Sequence, residues 1–229
     1  MTRPRNHKNM NSIIYKNCSI ADDVYIGDYS VLGKPSRPKF DHTADQVRMP
    51  DIHGSLEMTR IGSGCYIDSH VVIEEGVTVC PNCIVESRAT IKKGTEIGKS
   101  TLIVHGSHIC GYASIAEHCV VGGFIADHSV IGPFSRVFGM LLHKQDDPIL
   151  PWDDNIEGAP VLEDYVFVGM GAAVIGKIRL GRNVYVCANA VVTKDVPAFH
   201  IVRNLNDIMP LDAWTGNLRE SRFWLKEQD

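Results

Sequence analysis

The sequence predicts an all-β solenoid, a parallel β-helix of roughly eight coils of about 18 residues each. Three observations support this fold class. Aliphatic residues recur at every sixth position, small or β-branched residues recur four positions after them, and glycine or polar residues are common in between. A six-residue period fits neither a helix, which repeats about every 3.6 residues, nor an alternating strand with a period of about 2. It fits short strands joined by tight corners, with one hexad on each side of a three-sided coil.

The aliphatic column is unbroken in the middle of the chain. Eleven successive sixth positions hold Ile or Val, although these two types supply only about one residue in five. Chance would produce such a series roughly once in 10^7 to 10^8 trials. The members are Ile61, Ile67, Ile73, Val79, Val85, Ile91, Ile97, Ile103, Ile109, Ile115 and Val121.

The same register continues on both sides of this run, which gives about two dozen hexads. Before it stand Ile14, Ile20, Ile26 and Leu32. After Val121 the register slips by two residues and resumes at Ile125, Ile131 and Val137. It returns at Leu162, Val168, Val174, Leu180, Val186 and Val192.

Three of the seven cysteines fall in the second column. Cys65, Cys83 and Cys119 are separated by 18 and 36 residues, so we expect them to share one internal column as core residues. The odd count and the absence of paired CxxC motifs argue against a disulfide framework or a zinc ribbon. A reducing, cytoplasmic location is therefore expected.

Two segments interrupt the period, and a third follows it. We expect a β-helix domain over 12–200, with excursion loops over about 33–60 and 139–160. Long loops on a rigid scaffold commonly carry function. Residues 201–229 are predicted to form a C-terminal helical cap, because a solenoid must cover its last coil.

Composition excludes several classes of function. The chain has 229 residues, 44% hydrophobic and 22% charged, with a net charge of -4, which suits one globular domain. This charge gives no reason to expect a nucleic acid or an anionic membrane as a partner. No apolar stretch is long enough to span a bilayer, and the basic N-terminus is not followed by the apolar core of a secretory signal.

An aliphatic residue followed by glycine opens many hexads, as in Ile26-Gly27, Ile61-Gly62, Ile97-Gly98, Ile131-Gly132 and Val168-Gly169. In this pattern the chain resembles the hexapeptide-repeat acyltransferases over most of residues 12–197. The resemblance implies that the β-helix is left-handed, which spacing alone does not decide. It also implies a homotrimer, with sites between subunits.

Residues 160–197 carry the strongest local resemblance. Their sequence, PVLEDYVFVGMGAAVIGKIRLGRNVYVCANAVVTKDVP, looks like the closing segment of the acetyl-CoA-dependent subgroup. In that subgroup a catalytic histidine lies in a long loop, under twenty residues before the Pro-Val. His143 lies seventeen residues before Pro160. The resemblance therefore implies His143 as the catalytic residue and acetyl-CoA as the acyl donor.

The chemistry of acyl transfer suits this assignment. An imidazole is the natural base at neutral pH for an amine or hydroxyl acceptor, and backbone N–H groups at coil corners can stabilise the oxyanion. Asp146 or Glu157 is positioned in sequence to orient the imidazole, and the acidic character of the loop suggests an acceptor that bears an amine. The predicted acceptor-binding residues are Asp146, Asp147, Trp152 and Glu157.

Small corner residues would let the pantetheine arm of the donor approach the backbone, and basic residues would meet its phosphates. The predicted donor-binding residues are Gly171, Ala172, Gly176, Ala188, Asn189 and Lys194, with Arg182 and Lys177 as further basic residues. No metal is expected. The subgroup usually continues with a V-x-G-N-P-A strip near the adenine, but residues 200–207 read HIVRNLND. This departure leaves open a differently seated CoA or a longer acyl group.

A rival base lies in the segment IVHGSHIC, residues 103–110. Another branch of the family, including sugar N-acyltransferases and lipid A acyltransferases, has its catalytic histidine two residues after the aliphatic position, followed by D-C. His105 holds that position, but Gly106-Ser107 replaces the D-C. His70, His108, His118 and His128 are expected to be corner or interface residues.

The expected function is a CoA-dependent acyltransferase, most simply an acetyltransferase, acting on an amine or hydroxyl of a sugar, nucleotide-sugar or small metabolite. A non-catalytic scaffold of the same fold is the first alternative, since the coil needs no activity to be stable. A zinc enzyme resembling the γ-class carbonic anhydrases is the second. That class has two zinc-binding histidines five residues apart. The residues five positions before and after His105 are Ser100 and Cys110, so His105 has no histidine partner at that spacing.

Overall fold

A computed structural model describes residues 11–36, 39–41, 46–48, 56–144 and 158–203. In these residues the chain forms a left-handed parallel β-helix with three sheets of nine, eight and nine strands, which amounts to between eight and nine coils. The predicted fold class is confirmed. Of the predicted helical cap over 201–229, the structure describes only 201–203, where Ile201–Val202 form a strand and not a helix; the rest lies outside the described ranges.

We call the three faces of the coil A, B and C. Face A consists of β3 (Tyr25–Ile26), β8 (Tyr66–Ile67), β11 (Ile84–Val85), β14 (Leu102–Ile103), β17 (Val120–Val121), β20 (Arg136–Val137), β23 (Phe167–Val168), β26 (Tyr185–Val186) and β28 (Ile201–Val202). Face B consists of β1 (Ile13–Ile14), β4 (Val31–Lys34), β9 (Val72–Glu74), β12 (Thr90–Ile91), β15 (His108–Ile109), β18 (Phe124–Ile125), β21 (Met140–Leu142), β24 (Ala173–Ile175) and β27 (Val191–Val192). Face C consists of β2 (Cys18–Ile20), β7 (Thr59–Ile61), β10 (Thr78–Val79), β13 (Glu96–Ile97), β16 (Ser114–Ile115), β19 (Val130–Ile131), β22 (Val161–Leu162) and β25 (Arg179–Leu180).

The hexad column supplies the core of the coil. Each strand is only two to four residues long, and its aliphatic member points inward. Ile73 pairs with Ile91, which pairs with Ile109, so identical side chains stack at intervals of 18 residues. All three are fully buried. β-Branched side chains pack well on such a pleated surface, which explains why Ile and Val fill the column.

The second column closes each corner from inside. Cys65, Cys83 and Cys119 are buried at corners between faces C and A, as predicted, and Thr101 holds the corner between the last two. The thiol of Cys65 donates to the carbonyl of Cys80 at 3.1 Å, and the hydroxyl of Thr101 donates to the carbonyl of Ala116 at 3.0 Å. Small hydroxyl or thiol residues thus satisfy carbonyls that the corners would otherwise bury unpaired.

Most corners place one residue in the left-handed backbone region. Asn82 has φ 61° and Gly94 has φ 68°. Asparagine tolerates this region, and glycine occupies it without a steric cost. At Gly94 a side chain is also excluded by its neighbour, because a Cβ would lie 2.5 Å from the Tyr112 ring.

Both excursions leave the coil at the corner between faces B and C, which we call the B/C edge. The first separates β4 from β7 and contains the antiparallel pair β5 (Lys39–Asp41) and β6 (Gln46–Arg48). The second separates β21 from β22, and its described ends are His143–Lys144 and 158–160. The coil therefore continues through Leu142, past the predicted start of the second excursion, and β28 extends face A to Val202.

The corner between faces A and B, the A/B edge, is irregular in two consecutive coils. Four residues join β14 to β15 and four join β23 to β24. Only Gly122–Gly123 join β17 to β18, and only Phe138–Gly139 join β20 to β21. The slip of two residues in the hexad register is thus caused by a shortened corner, and a second shortened corner follows in the next coil.

The outward-facing residues differ between faces. On face A, eight of the nine strands from β3 to β28 begin with an apolar or aromatic residue, and these residues pair from coil to coil, as Tyr66, Ile84 and Leu102 do. On face C the corresponding positions are mostly polar, including Arg60, Thr78, Glu96 and Ser114. In the part of the chain that the structure describes there is no helix of membrane-spanning length and apolarity.

Candidate functional site

The A/B edge gathers five of the predicted site residues. Gly171 and Ala172 lie in the corner between β23 and β24, and Ala188 and Asn189 lie in the corner directly above, between β26 and β27. His105 lies on the same edge, in the corner between β14 and β15. The two shortened corners separate His105 from Gly171.

His105 is held from the coil below. Its Nδ1 lies 3.0 Å from the Ser87 hydroxyl, and its backbone N–H donates to a Glu86 carboxylate oxygen at 2.7 Å. In the tautomer in which Nδ1–H donates to Ser87, Nε2 keeps its lone pair and is the basic atom. The side chain is exposed, so an incoming acceptor can reach it.

The corner 169–172 is packed tightly on the coil above. A Cβ at Gly169 would lie 2.6 Å from the backbone nitrogen of Ala188, and the Asn189 N–H donates to the Met170 carbonyl at 2.9 Å. The N–H of Gly171 has no hydrogen-bond partner among the described residues, because the coil below has lost the corner that would accept it. A free, fixed N–H at this edge is the kind of donor that an oxyanion requires.

The B/C edge gathers the remaining described candidates. His143 follows β21, Gly176 follows β24 in the coil above, and Lys194 follows β27 one coil further up. The Gly176 N–H donates to the Leu142 carbonyl at 2.8 Å, and a Cβ at Gly176 would lie 3.5 Å from the Lys144 side chain. Glycine here thus leaves room for the first residues of the second excursion.

His143 is half-buried, and its Nδ1 atom is buried without a hydrogen-bond partner in the described residues. An orphaned buried imidazole nitrogen is costly unless a partner completes it. The carboxylates expected to orient it, Asp146 and Glu157, lie outside the described residues, as do Asp147 and Trp152. None of the four predicted acceptor-binding residues is therefore described, and the structure describes only the predicted base, His143, at the start of the same excursion.

One chain does not bring the two candidate bases together. His105 precedes β15 and His143 follows β21, so they lie on opposite edges of face B. The order β15-β18-β21 also places them two coils apart, about 10 Å along the axis at the usual strand spacing. A site built from one copy of the chain can therefore use only one of the two histidines as its base.

Of the four histidines expected at corners or interfaces, His70, His118 and His128 lie at corners, and His108 lies in β15 on face B. His118 stacks on Phe134 with ring centroids 5.1 Å apart, and His128 stacks on Tyr112 at 5.1 Å. His108 lies outward on face B, where burial and then the charge of Lys92 lower its pKa. In the described ranges, no group of three His, Cys, Asp or Glu residues is arranged to hold a metal ion.

Sequence reasoning did not identify Ser87 and Glu86 as the partners of His105. The spacing in the sequence could have identified Ser87, because it precedes His105 by 18 residues, the length of one complete coil. The sequence analysis also did not predict the second shortened corner, Phe138–Gly139, because the expected second excursion began at about residue 139.

Three comparisons with known proteins bear on the chain. The family described as "Bacterial transferase hexapeptide (six repeats)" matches residues 58–93. The bifunctional protein GlmU of Burkholderia vietnamiensis is 31% identical over 180 residues, which cover 67% of this chain and 39% of that protein. GlmU of Paraburkholderia xenovorans is 28% identical over 188 residues, with 70% and 41% covered. The chain thus spans about two fifths of these relatives.

A UDP-N-acetylglucosamine acyltransferase of Francisella novicida has a similar structure. Its TM-score is 0.51 at 17% sequence identity, with 84% of this chain and 65% of that chain covered. At this identity the likeness concerns the fold, and it agrees with the left-handed coil described above.

Proposed function

The chain belongs to the bacterial transferase hexapeptide family, and from that premise we propose that it is a CoA-dependent acyltransferase. Its acceptor would be an amine or hydroxyl on a sugar, nucleotide-sugar or small metabolite. By its name, the structurally similar protein of Francisella novicida acts on UDP-N-acetylglucosamine, which makes a nucleotide-sugar the first acceptor class to test.

One observation carries the proposal. Segment 160–197 folds as the last complete coils, and it stacks Gly171, Ala172, Ala188 and Asn189 on the A/B edge. Gly171, Ala188 and Asn189 are exposed, so a pantetheine arm can lie along their backbone, whereas Ala172 is fully buried in the core and cannot contact it. Among the described residues the Gly171 N–H has no acceptor. A scaffold would not require a free donor at this position.

In the proposed reaction His143 takes the proton from the acceptor amine or hydroxyl as that atom attacks the thioester carbonyl carbon. The Gly171 N–H donates to the oxyanion that develops on the carbonyl oxygen. As the intermediate collapses, the carbon–sulfur bond breaks. The imidazolium returns its proton to the departing thiolate, so that free CoA thiol and the acylated acceptor leave.

We further propose that the active unit is a homotrimer whose sites lie between copies. His143 and Gly171 lie on different edges of one chain, so a neighbouring copy is needed to bring the loop of one onto the A/B edge of the other. The apolar outward column of face A supports such packing, because exposed apolar strips commonly mark interfaces.

A thiol-release assay tests the activity and the base together. Wild type, His143→Asn and His105→Asn receive acetyl-CoA with a panel of amino sugars, nucleotide-linked amino sugars and small hydroxyl compounds. His118→Asn is the matched control, because His118 lies on a corner between faces C and A. We expect acceptor-dependent thiol release that falls about 10²-fold to 10⁴-fold in His143→Asn only.

Loss of release in His105→Asn instead would transfer the role of base to His105. Absence of release with every acceptor, together with absence of CoA binding by calorimetry, would contradict the enzyme and favour the scaffold. Zinc chemistry is not proposed, because no described group of residues supports it.

A further inference from the structure

The shortened corners create an opening in the A/B edge, which we call the A/B step. Its floor is Gly122–Gly123 and Phe138–Gly139, its lower ledge is the corner 104–107, and its upper ledge is the corner 169–172. The two ledges are three coils apart, about 14 Å between their backbones at the usual strand spacing.

Glycine geometry shows that the step is open space. A Cβ at Gly106 would meet nothing within 4 Å. Gly64 and Gly94 have the same left-handed backbone, with φ near 70°. There, a Cβ would lie 2.5 Å from Asn82 or Tyr112 of the next coil. Gly106 lacks such a neighbour because the next corner is short.

The floor, by contrast, is closed. A Cβ at Gly123 would collide with the Gly139 carbonyl, and one at Gly139 would collide with the Ala172 carbonyl. The shortened corners are therefore packed backbone against backbone. The step is a rigid recess with a solid floor and does not depend on a mobile loop.

The positions that border the recess are mostly apolar, and the rings of Phe124 and Phe138 pack on His108 and Phe167 of the two adjoining faces. Phe124 and Met140, the first residues after the two short corners, are 39% and 37% exposed, and Met170 on the upper ledge is 72% exposed. Val104 and Phe138 lie at the corner positions next to face A. No charged side chain stands at these positions, so the recess favours an uncharged, apolar occupant.

Among the corner residues of the step, polar side chains stand only on the lower ledge, at His105 and Ser107. At complete corners the third residue donates its N–H to the coil below, as Gly106 does to the Ser87 carbonyl at 3.0 Å. Across the step this bond is missing, so within the described residues the His105 carbonyl has no donor and the Gly171 N–H has no acceptor. The reacting carbonyl would thus lie at the upper ledge, with its apolar substituent directed into the recess.

We propose that the A/B step binds the acyl chain of the donor, and that this enzyme prefers an acyl group longer than acetyl. The inference rests on the proposed function, because it places the donor thioester at Gly171. Acetyl would leave the exposed apolar lining of the recess uncovered.

Calorimetric binding of free CoA and of acetyl-, butyryl-, hexanoyl- and octanoyl-CoA tests the proposal. Burial of each methylene is worth about fourfold in affinity, so we expect hexanoyl-CoA to bind at least about thirtyfold more tightly than acetyl-CoA. Gly106→Asn should reduce this gain to about threefold or less while leaving the affinity for free CoA unchanged. Asparagine fits there because Asn82, Asn183 and Asn189 share the backbone conformation of Gly106.

Ser100→Asn is the matched control, since Ser100 has φ 56° in the same coil but lies on another edge. Met170→Trp, which fills the recess from the opposite ledge, should also remove the gain. All variants are first checked for an unchanged thermal midpoint. Affinity independent of chain length, or a gain that survives both filling variants, would overturn the recess and leave the transferase standing. Failure of every thioester and of CoA to bind would overturn both.

Discussion

At the scale of single residues, burial separates the reactivity of Cys110 and Cys119 from that of Cys187. Cys110 and Cys119 are buried, and burial raises the pKa of these thiols to about 12 and about 11. Cys187 is only half-buried at the A/B edge. The thiolate is the reactive form, so a raised pKa slows the reaction of a thiol. This effect adds to the steric protection that burial itself gives.

This division predicts the course of thiol titration. With Ellman's reagent at pH 8, we expect Cys187 to react at least about a hundredfold faster than Cys110 or Cys119 in the folded protein. Cys187→Ser should remove a fast phase, and Cys119→Ser should leave it intact. Rapid loss of all seven thiols without denaturant would contradict the buried column.

The residues of this column were predictable, because the six-residue period assigns each position an inside or an outside. Cys65, Cys83 and Cys119 were recognised as core by spacing alone. The partner of His105 was not recognised, because a hydrogen bond depends on which neighbouring outward residue carries a hydroxyl. The interval of 18 residues contained that information once the coil was accepted.

At the scale of elements, the first excursion is anchored by two adjacent buried carboxylates. Glu74 accepts from the Lys92 ammonium at 3.0 Å. Glu75 accepts from the Glu57 N–H at 3.0 Å and from the Ser36 hydroxyl at 3.0 Å. Both ends of the excursion are thus attached to the corner after β9.

The pKa of Glu75 follows from these contacts. Burial acts to raise it, but hydrogen bonds from Glu57 and Ser36 and the charge of Lys93 outweigh burial, so the pKa is lowered. A lowered pKa contributes stability above the unfolded value of about 4.5, and that stability is lost as pH falls through the folded value.

Glu75→Gln should therefore destabilise the protein at pH 7 by about 1 to 3 kcal/mol. The difference from wild type in thermal midpoint should shrink as the pH is lowered below about 4.5. Glu163→Gln, which removes an exposed ion pair with Arg179, is the control and should leave the thermal midpoint almost unchanged. An equal loss at pH 7 and pH 3 would show that the carboxylate charge is not responsible.

The excursions were predictable as elements, but their limits were less so. Prolines and charges mark residues 33–60 clearly. The strand Met140–Leu142 was assigned to the second excursion, because two successive shortened corners move the hexad register by two residues each time. Counting in steps of six loses the register at such a corner, because the sequence does not show that a corner can lose two residues and still close.

At the scale of the whole molecule, the contrast between faces A and C predicts the geometry of assembly. Ile84 on face A is 45% exposed and lies in an apolar column, and Thr78 on face C lies among polar residues. In the proposed trimer, Ile84→Asp should reduce the mass measured by light scattering to that of a monomer, because it buries a charge. Thr78→Asp in the neighbouring hexad should leave the mass unchanged. A monomeric wild type would contradict the assembly, and with it the shared site.

The coil also determines the order in which the chain can fold. Most paired strands are 18 residues apart, and those across the step only 16, as in Ile125 with Leu141. Ser19 and Arg60 are 41 apart, and Val130 and Val161 are 31 apart, because an excursion intervenes. Closing a longer loop costs more entropy, and a solenoid propagates structure between neighbours. We therefore expect the central coils from Ile61 to Leu142 to form first and to exchange their amide hydrogens last, while the outer coils fray before them.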